Sequence, residues 1–216
     1  MFHSRYRSIV LDVDSTLSGI EGIDWLAEQR GAEIAARVSR LTALAMSGEK
    51  TLDEVFELRL SEVRPSRADI ERLGEAYVNS VAPGAVEALA AMTKAGIRTV
   101  MVSGGIREAI IPLASLLGIS PNDLYAVSVS FTLAGDFAGH DTSSPLARQH
   151  GKRAIVEALG LDRPIMAVGD GVTDAEMRPA VDCFVAFTGF ATRDAVVRQA
   201  DATVATFSEL QELVLG

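Results

Sequence analysis

Five short apolar runs punctuate the chain, at 9–13, 97–102, 165–168, 184–187 and 202–205, and none alternates cleanly with polar residues. Most carry β-branched side chains, so they predict strands buried on both faces, as in a parallel sheet. Between and after them apolar positions recur at helical spacing, over 85–95, 107–117, 152–159, 193–199 and 208–215. Alternating strands and helices predict an α/β fold with a doubly wound, mostly parallel sheet. One region breaks the alternation. From about 19 to 81 the pattern is helical throughout, at 23–30, 32–46, 52–63 and 67–80. This predicts an all-helical cap, residues 19–81, inserted after the first strand into an α/β core made of 1–18 and 82–216. Pro83-Gly84 reads as the turn back into the core. A further irregular patch predicts a strand pair, 128–133 and 136–138, turning at Ala134-Gly135.

Composition narrows the partners. The 216 residues are 48% hydrophobic and 23% charged, an ordinary soluble mix. Twenty-nine acidic against 20 basic residues leave a net charge of -9, with no basic tract. Electrostatics therefore argues against nucleic acid or an anionic membrane as partner, and a bound phosphate must rely on a few placed groups. The single cysteine, Cys183, allows no disulfide within the chain. The apolar run after Arg5 and Arg7 is too short for a signal-peptide core, and no window approaches a membrane span. The expectation is a cytoplasmic protein with no membrane partner.

Candidate chemistry sits at the strand ends, where open α/β sheets bind ligands. The first strand runs into Asp12-Val13-Asp14-Ser15-Thr16, the second into Ser103-Gly104-Gly105, and the third into Gly169-Asp170-Gly171-Val172-Thr173-Asp174. Lys152 follows Gly151 at the start of a helix. Clustered carboxylates repel and resist ionisation, so a hard cation such as Mg2+ is the natural companion. Ser103, the N–H groups after it and Lys152 suit phosphate oxygens. Together these groups describe phosphoryl transfer, which needs mainly positioning and charge neutralisation. Each element has a plainer reading alone: Gly-Asp-Gly as a turn, Ser103-Gly104-Gly105 as a helix-capping turn, Lys152 as a solvated side chain. A calcium loop fails on Leu17 and Ile23 where Gly and Glu are needed, and no phosphate-binding GxxxxGK[ST] loop occurs.

The combination DxDST, SGG after a strand, a lysine and GDGxTD resembles the haloacid dehalogenase superfamily of phosphohydrolases. The stretch Glu21-Gly22-Ile23-Asp24 is similar to the EGID segment of its phosphoserine phosphatase branch. The resemblance implies Asp12 as nucleophile, forming an aspartyl-phosphate, and Asp14 as general acid and then base. It implies a magnesium site of the Asp12 carboxylate, the Asp14 carbonyl and Asp170, with Asp174 in support, and Ser103 and Lys152 on the phosphoryl oxygens. The substrate implied is L-phosphoserine, a small-molecule phosphate ester; phosphohomoserine, another small ester, or a receiver-like phosphoaspartate signalling domain are the alternatives. Ile106 and Thr188 depart from the Phe and Gly usual at those places.

Substrate choice then belongs to the cap. In the 52–63 helix, Leu52, Val55, Phe56, Leu60 and Val63 form an apolar face, and at about 100° per residue Arg59 falls in its middle. A guanidinium there needs a partner. That partner is either a substrate carboxylate, as the resemblance implies, or an internal acid such as Glu21, Glu28 or another. Glu21 is implied to face the substrate ammonium, yet Ser18-Gly-Ile-Glu21 also reads as a capping box. Gly104, Gly105 and Thr173 are further candidates for the substrate pocket.

Overall fold

The computed structural model describes residues 5–46 and 50–216. From β1 (Ser8–Leu11) the chain passes through α1 (Gly22–Gln29), α2 (Ala32–Met46), α3 (Leu52–Val63) and α4 (Arg67–Asn79). It returns to the sheet through α5 (Ala85–Lys94) and β2 (Arg98–Ile106). Next come α6 (Arg107–Leu116), β3 (Leu124–Val127) and an antiparallel hairpin of β4 (Val129–Phe131) and β5 (Phe137–His140). The rest is α7 (Gly151–Ala158), β6 (Ile165–Gly169), α8 (Val172–Ala175), β7 (Cys183–Phe187), α9 (Asp194–Val197), β8 (Ala202–Val204) and α10 (Phe207–Leu215). No helix among the described residues is long and apolar enough to cross a membrane.

The main sheet has six strands in the order β3-β2-β1-β6-β7-β8, all parallel to their neighbours. β1 lies inside it, and Ile9, Val10 and Leu11 are wholly inaccessible, which is why its sequence is apolar without alternation. The strand order reverses beside β1, and ligands bind at such switch points. Register does the rest. Leu11 lies opposite both Met101 and Val168, so the segments that follow all three strands emerge on one edge.

The α/β core and the helical insertion match the hydrophobic pattern, with three differences. β3 escapes the pattern because it is a four-residue edge strand whose middle residues, Tyr125 and Ala126, are only partly buried. β2 runs on past Val102 through Ser103-Gly104-Gly105 to Ile106, with an irregularity in register that re-pairs Ile106 with Val127. α9 is a single turn in which only Val196 is buried, too little apolar surface to sustain a longer helix.

The insertion is locally well specified. Its two connections run side by side: the Gly19 N–H donates to the Ser80 carbonyl at 2.9 Å and the Ala82 N–H to the Leu17 carbonyl at 2.9 Å. At the start of α4, Ser66 and Asp69 form a reciprocal cap, with Ser66 N–H donating to Asp69 at 2.8 Å and Asp69 N–H to the Ser66 hydroxyl at 3.2 Å. Arg30 and Arg72 also pair with Asp69, which is 4% exposed. Burial pushes the Asp69 carboxyl up, but donation by the Ser66 hydroxyl and N–H, then by Arg72 and Arg30, outweighs it and brings it down to about 2. Asp69→Ala is expected to cost about 2 kcal/mol at pH 7, read by urea unfolding. A depressed carboxyl contributes fully above its unfolded value of about 4 and loses that contribution as pH falls toward 2, so the difference from wild type should shrink between pH 4 and pH 2.

Candidate active site

Asp12 is the first residue past β1 and prolongs its ladder, donating its N–H to the Val168 carbonyl at 3.0 Å. The chain then turns sharply: Ser15 adopts a left-handed φ of 50° and Thr16 N–H bonds back to Val13 at 3.3 Å. Strand periodicity would have put Asp12 and Asp14 side by side on one face. The strand ends at Leu11, however, and the two carboxylates have different partners, Lys152 and Tyr77.

Asp12 faces Lys152. The Lys152 Nζ lies 2.6 Å from Asp12 Oδ1 and 2.7 Å from Asp174 Oδ1, and the residue is only 7% exposed. Burial by itself lowers an ammonium pKa, but the charges of Asp12 and Asp174 outweigh it and raise it, so Lys152 stays charged. The plain solvated-lysine reading is thereby excluded. The second Asp174 oxygen accepts the Gly171 N–H at 2.9 Å. Asp174 can fold in this closely because residue 169 is glycine: a Cβ there would lie 2.2 Å from Asp174 Cγ.

Asp12, Asp170 and Asp174 each bring a carboxylate oxygen within 4.8 Å of the others. Asp170 Oδ1 accepts the Thr16 hydroxyl at 3.2 Å, while Oδ2 is buried without a hydrogen bond and forms an ion pair with Arg193. Three hard oxygen ligands in so small a volume fit a divalent cation. Both oxygens of Asp174 are engaged by Lys152 and Gly171, which leaves it orienting the group. The Asp14 carboxylate is not part of this cluster.

Asp14 Oδ1 accepts the Tyr77 hydroxyl at 2.6 Å and the Gly22 N–H at 3.0 Å. Desolvation pushes the Asp14 carboxyl up to about 7, the charges of Glu21 and Asp12 add to the rise, and donation by Tyr77 and Gly22 opposes it. Tyr77 itself is raised well above 10.0 by burial and the Asp14 charge, so it remains a protonated donor.

Asp12, Asp14, Lys152, Asp170 and Asp174 line a cleft of about 200 Å³ between the strand ends and the helical insertion; Tyr77 does not. Gly104, Gly105 and Thr173 line it as well. Ser103 is fully buried and its hydroxyl accepts the Gly105 N–H at 2.9 Å. It does not cap α6, whose N-terminal position is Ile106 without a side-chain cap. Ile106 is 1% exposed and Thr188 bonds to Val204 on β8, so neither departure lines the cleft.

From the insertion, Glu21 and Arg59 reach the same cleft. Val55, Phe56, Leu60 and Val63 are buried as the periodicity requires; the Leu52 side chain lies outside the described residues. Arg59 has an internal partner, Asp24 on α1, in place of Glu21 or Glu28, and its Nε is buried without a hydrogen bond. Glu21 precedes α1 but its side chain caps nothing; it accepts the Ser15 hydroxyl at 2.7 Å and lies 3.6 Å from Arg193. Ser18, the other half of the expected capping box, donates to the Tyr77 and Ser80 carbonyls.

Tyr77, Asp24 and Arg193 contact the residues of this site, and sequence reasoning assigned none of them a role. Tyr77 follows Ile70, Leu73 and Gly74 on the apolar face of α4, so its spacing announces only a core ring. Asp24 is an ordinary first-turn acid of α1, and Arg193 precedes a one-turn helix far along the chain.

The haloacid dehalogenase-like hydrolase family matches residues 9–178. A phosphoserine phosphatase of Bos taurus is 33% identical over 96% of this chain and 96% of its own. The chain belongs to the haloacid dehalogenase-like hydrolases, in their phosphoserine phosphatase branch. The chloroplastic phosphoserine phosphatase of Arabidopsis thaliana is 35% identical over 94% of this hydrolase and 70% of its own length. A phosphoserine phosphohydrolase-like protein from Francisella tularensis subsp. tularensis SCHU S4 superposes with a TM-score of 0.86 at 24% identity, covering 96% and 99% of the two chains, and shows the shared fold.

Proposed function

We propose that this hydrolase converts L-phosphoserine to L-serine and phosphate through an aspartyl-phosphate on Asp12, with residues 19–81 acting as a cap over the core of 1–18 and 82–216. The observation that carries the reading is the arrangement of one small cleft. Asp12, Lys152 and Asp14 stand at the core end, and Glu21 and Arg59 come in from the insertion. A molecule with a phosphate, an ammonium and a carboxylate matches that distribution of charge. The cleft is smaller than the several hundred cubic ångströms of drug-sized sites, which suits a small ester and no polymer.

An Asp12 carboxylate oxygen attacks phosphorus while the bond to the seryl oxygen breaks, and Asp14 gives that oxygen its proton. Asp14 then takes a proton from the water that hydrolyses the phosphoenzyme, a double duty suited to a carboxyl held near 7. Lys152 and the Ser103 hydroxyl hold phosphoryl oxygens, with Gly104, Gly105 and Thr173 around the ester. Asp12, Asp170 and the Asp14 carbonyl would hold Mg2+, which supplies charge neutralisation at the phosphoryl group. Glu21 takes the ammonium. Arg59, which lines the cleft, takes the carboxylate while Asp24 steadies the guanidinium. The free Cys183 accords with a reducing, cytoplasmic setting.

Phosphate release from L-phosphoserine should require Mg2+ and stop on addition of EDTA. O-Phosphoethanolamine, which lacks the carboxylate, and a phosphate ester lacking the ammonium should each lose roughly tenfold or more in kcat/KM, the worth of one charged hydrogen bond. Equal rates on all three esters would remove the substrate assignment, and release indifferent to EDTA would remove the metal.

A further inference from the structure

Tyr77 meets Asp14 from the last turn of α4, outside the cleft lining, and no step above uses it. Its side chain is wholly inaccessible, and its hydroxyl and the Gly22 N–H converge on one oxygen, Asp14 Oδ1, at 2.6 and 3.0 Å. Both donors belong to the helical insertion. Asp14 Oδ2 receives neither and lies toward Gly105, where a Cβ would stand 3.1 Å from it. Gly105 is part of the cleft wall. The phenol has room only because residue 22 is glycine: a Cβ there would lie 2.1 Å from the Tyr77 hydroxyl oxygen. The backbone of Tyr77 is anchored too, its carbonyl accepting the Ser18 hydroxyl at 3.1 Å across the two connections of the insertion.

From this geometry we propose that Tyr77 is a positioning residue for Asp14: with the Gly22 N–H it occupies Oδ1, so that the proton given to the leaving oxygen is carried on Oδ2, the oxygen toward the cleft. In the first step the Oδ2–H bond breaks and its proton passes to the seryl oxygen as that oxygen leaves phosphorus and the Asp12–phosphorus bond forms. An oxygen already accepting two hydrogen bonds is the poorer seat for a proton. Without the phenol the carboxyl can turn, either oxygen can carry the proton, and fewer molecules are poised for transfer. Because the donors come from α1 and α4, the acid is aligned only while the insertion is seated on the core. This rests on the reading of Asp14 as general acid.

The test compares leaving groups in the Mg2+-loaded protein. With Tyr77→Phe, kcat on L-phosphoserine should fall roughly tenfold or more while KM stays within about threefold. The pre-steady-state burst of p-nitrophenolate from p-nitrophenyl phosphate, whose leaving group needs little proton, should slow by less than about threefold. Gly22→Ala, which displaces the phenol without removing it, should reproduce that split and replaces Tyr77→Phe if the latter does not fold. Asp14→Asn is run alongside. If Asp14→Asn spares phosphoserine turnover, the acid assignment and this proposal fall together. If Asp14→Asn separates the two leaving groups but Tyr77→Phe and Gly22→Ala slow both esters alike, or change KM alone, the role of Tyr77 is overturned and Asp14 keeps its own.

Discussion

Asp12→Asn is expected to lower turnover of L-phosphoserine by about 10⁴-fold or more, because it removes the group that forms the phosphoenzyme and not an auxiliary contact. The amide keeps the size of the carboxylate but not its nucleophilic oxygen. The fold should survive. Asp12 shares Lys152 with Asp174, so one carboxylate still faces the buried ammonium after the change. Loss of the charge also relieves repulsion among the three acids within 4.8 Å of each other. Thermal unfolding of the metal-free variant should therefore stay close to wild type while no acid-stable, hydroxylamine-sensitive phosphate accumulates on the chain. Residual turnover above about a hundredth of wild type, in a preparation free of deamidated protein, would move the nucleophile elsewhere.

The second large effect falls on stability and activity together. Lys152→Met keeps the length of the side chain and removes its charge, leaving Asp12 and Asp174 without their ammonium in a site where both are nearly inaccessible. Breaking a buried pair by removing one partner costs about 3–5 kcal/mol, a large part of the 5–15 kcal/mol that holds a typical protein folded. Activity should fall at least about a hundredfold through loss of phosphate neutralisation. The cost must depend on pH in a definite direction. Burial and the Asp12 charge push the Asp174 carboxyl up, and Lys152 is what opposes them. Even with Lys152 present that carboxyl stands at about 7, and without the ammonium it rises further, so above about pH 7 the wild type releases a proton that the folded variant keeps. A carboxyl raised in the folded state loses stability as pH rises, so the deficit against wild type should grow as pH rises through about 7 and level off below it. Urea unfolding of both proteins in EDTA at several pH values reads this directly. A deficit that is flat with pH, or that grows on acidification, would mean that the Lys152–Asp12–Asp174 contacts do not govern the site.

Much of the molecule was visible in the order of its residues. β1, β2, β6 and β7 are paired on both sides and largely buried in a parallel sheet, and such strands must be continuously apolar, so each stood out without knowledge of the others; the edge strand β8, with Thr203 exposed, showed only as a short apolar run. The insertion was legible because four helical periods with no strand between them can pack only as helices. β3 was not legible. It lies at an edge, is four residues long and is half exposed, so burial imposes almost no pattern on it. Arg59 shows the same boundary on a finer scale. Its place on an apolar face demanded a partner, and periodicity sufficed to say so. Which acid answers depends on the packing of α1 against α3, and that selected Asp24.

By itself, then, the chain's sequence determined the α/β core, the helical insertion and the edge of the sheet where Asp12, Ser103 and Asp170 emerge, because each follows from local periodicity and from what comes next after a strand. Tertiary structure alone decided how those groups are used. β1 ends at Leu11, and beyond it the Asp12 and Asp14 carboxylates that strand geometry would have aligned go to different partners, Lys152 and Tyr77. Lys152 meets Asp174 across 22 positions of sequence, and Tyr77 meets Asp14 across 63. Contacts of that span are set by the packing of whole elements, and no window of sequence contains both partners.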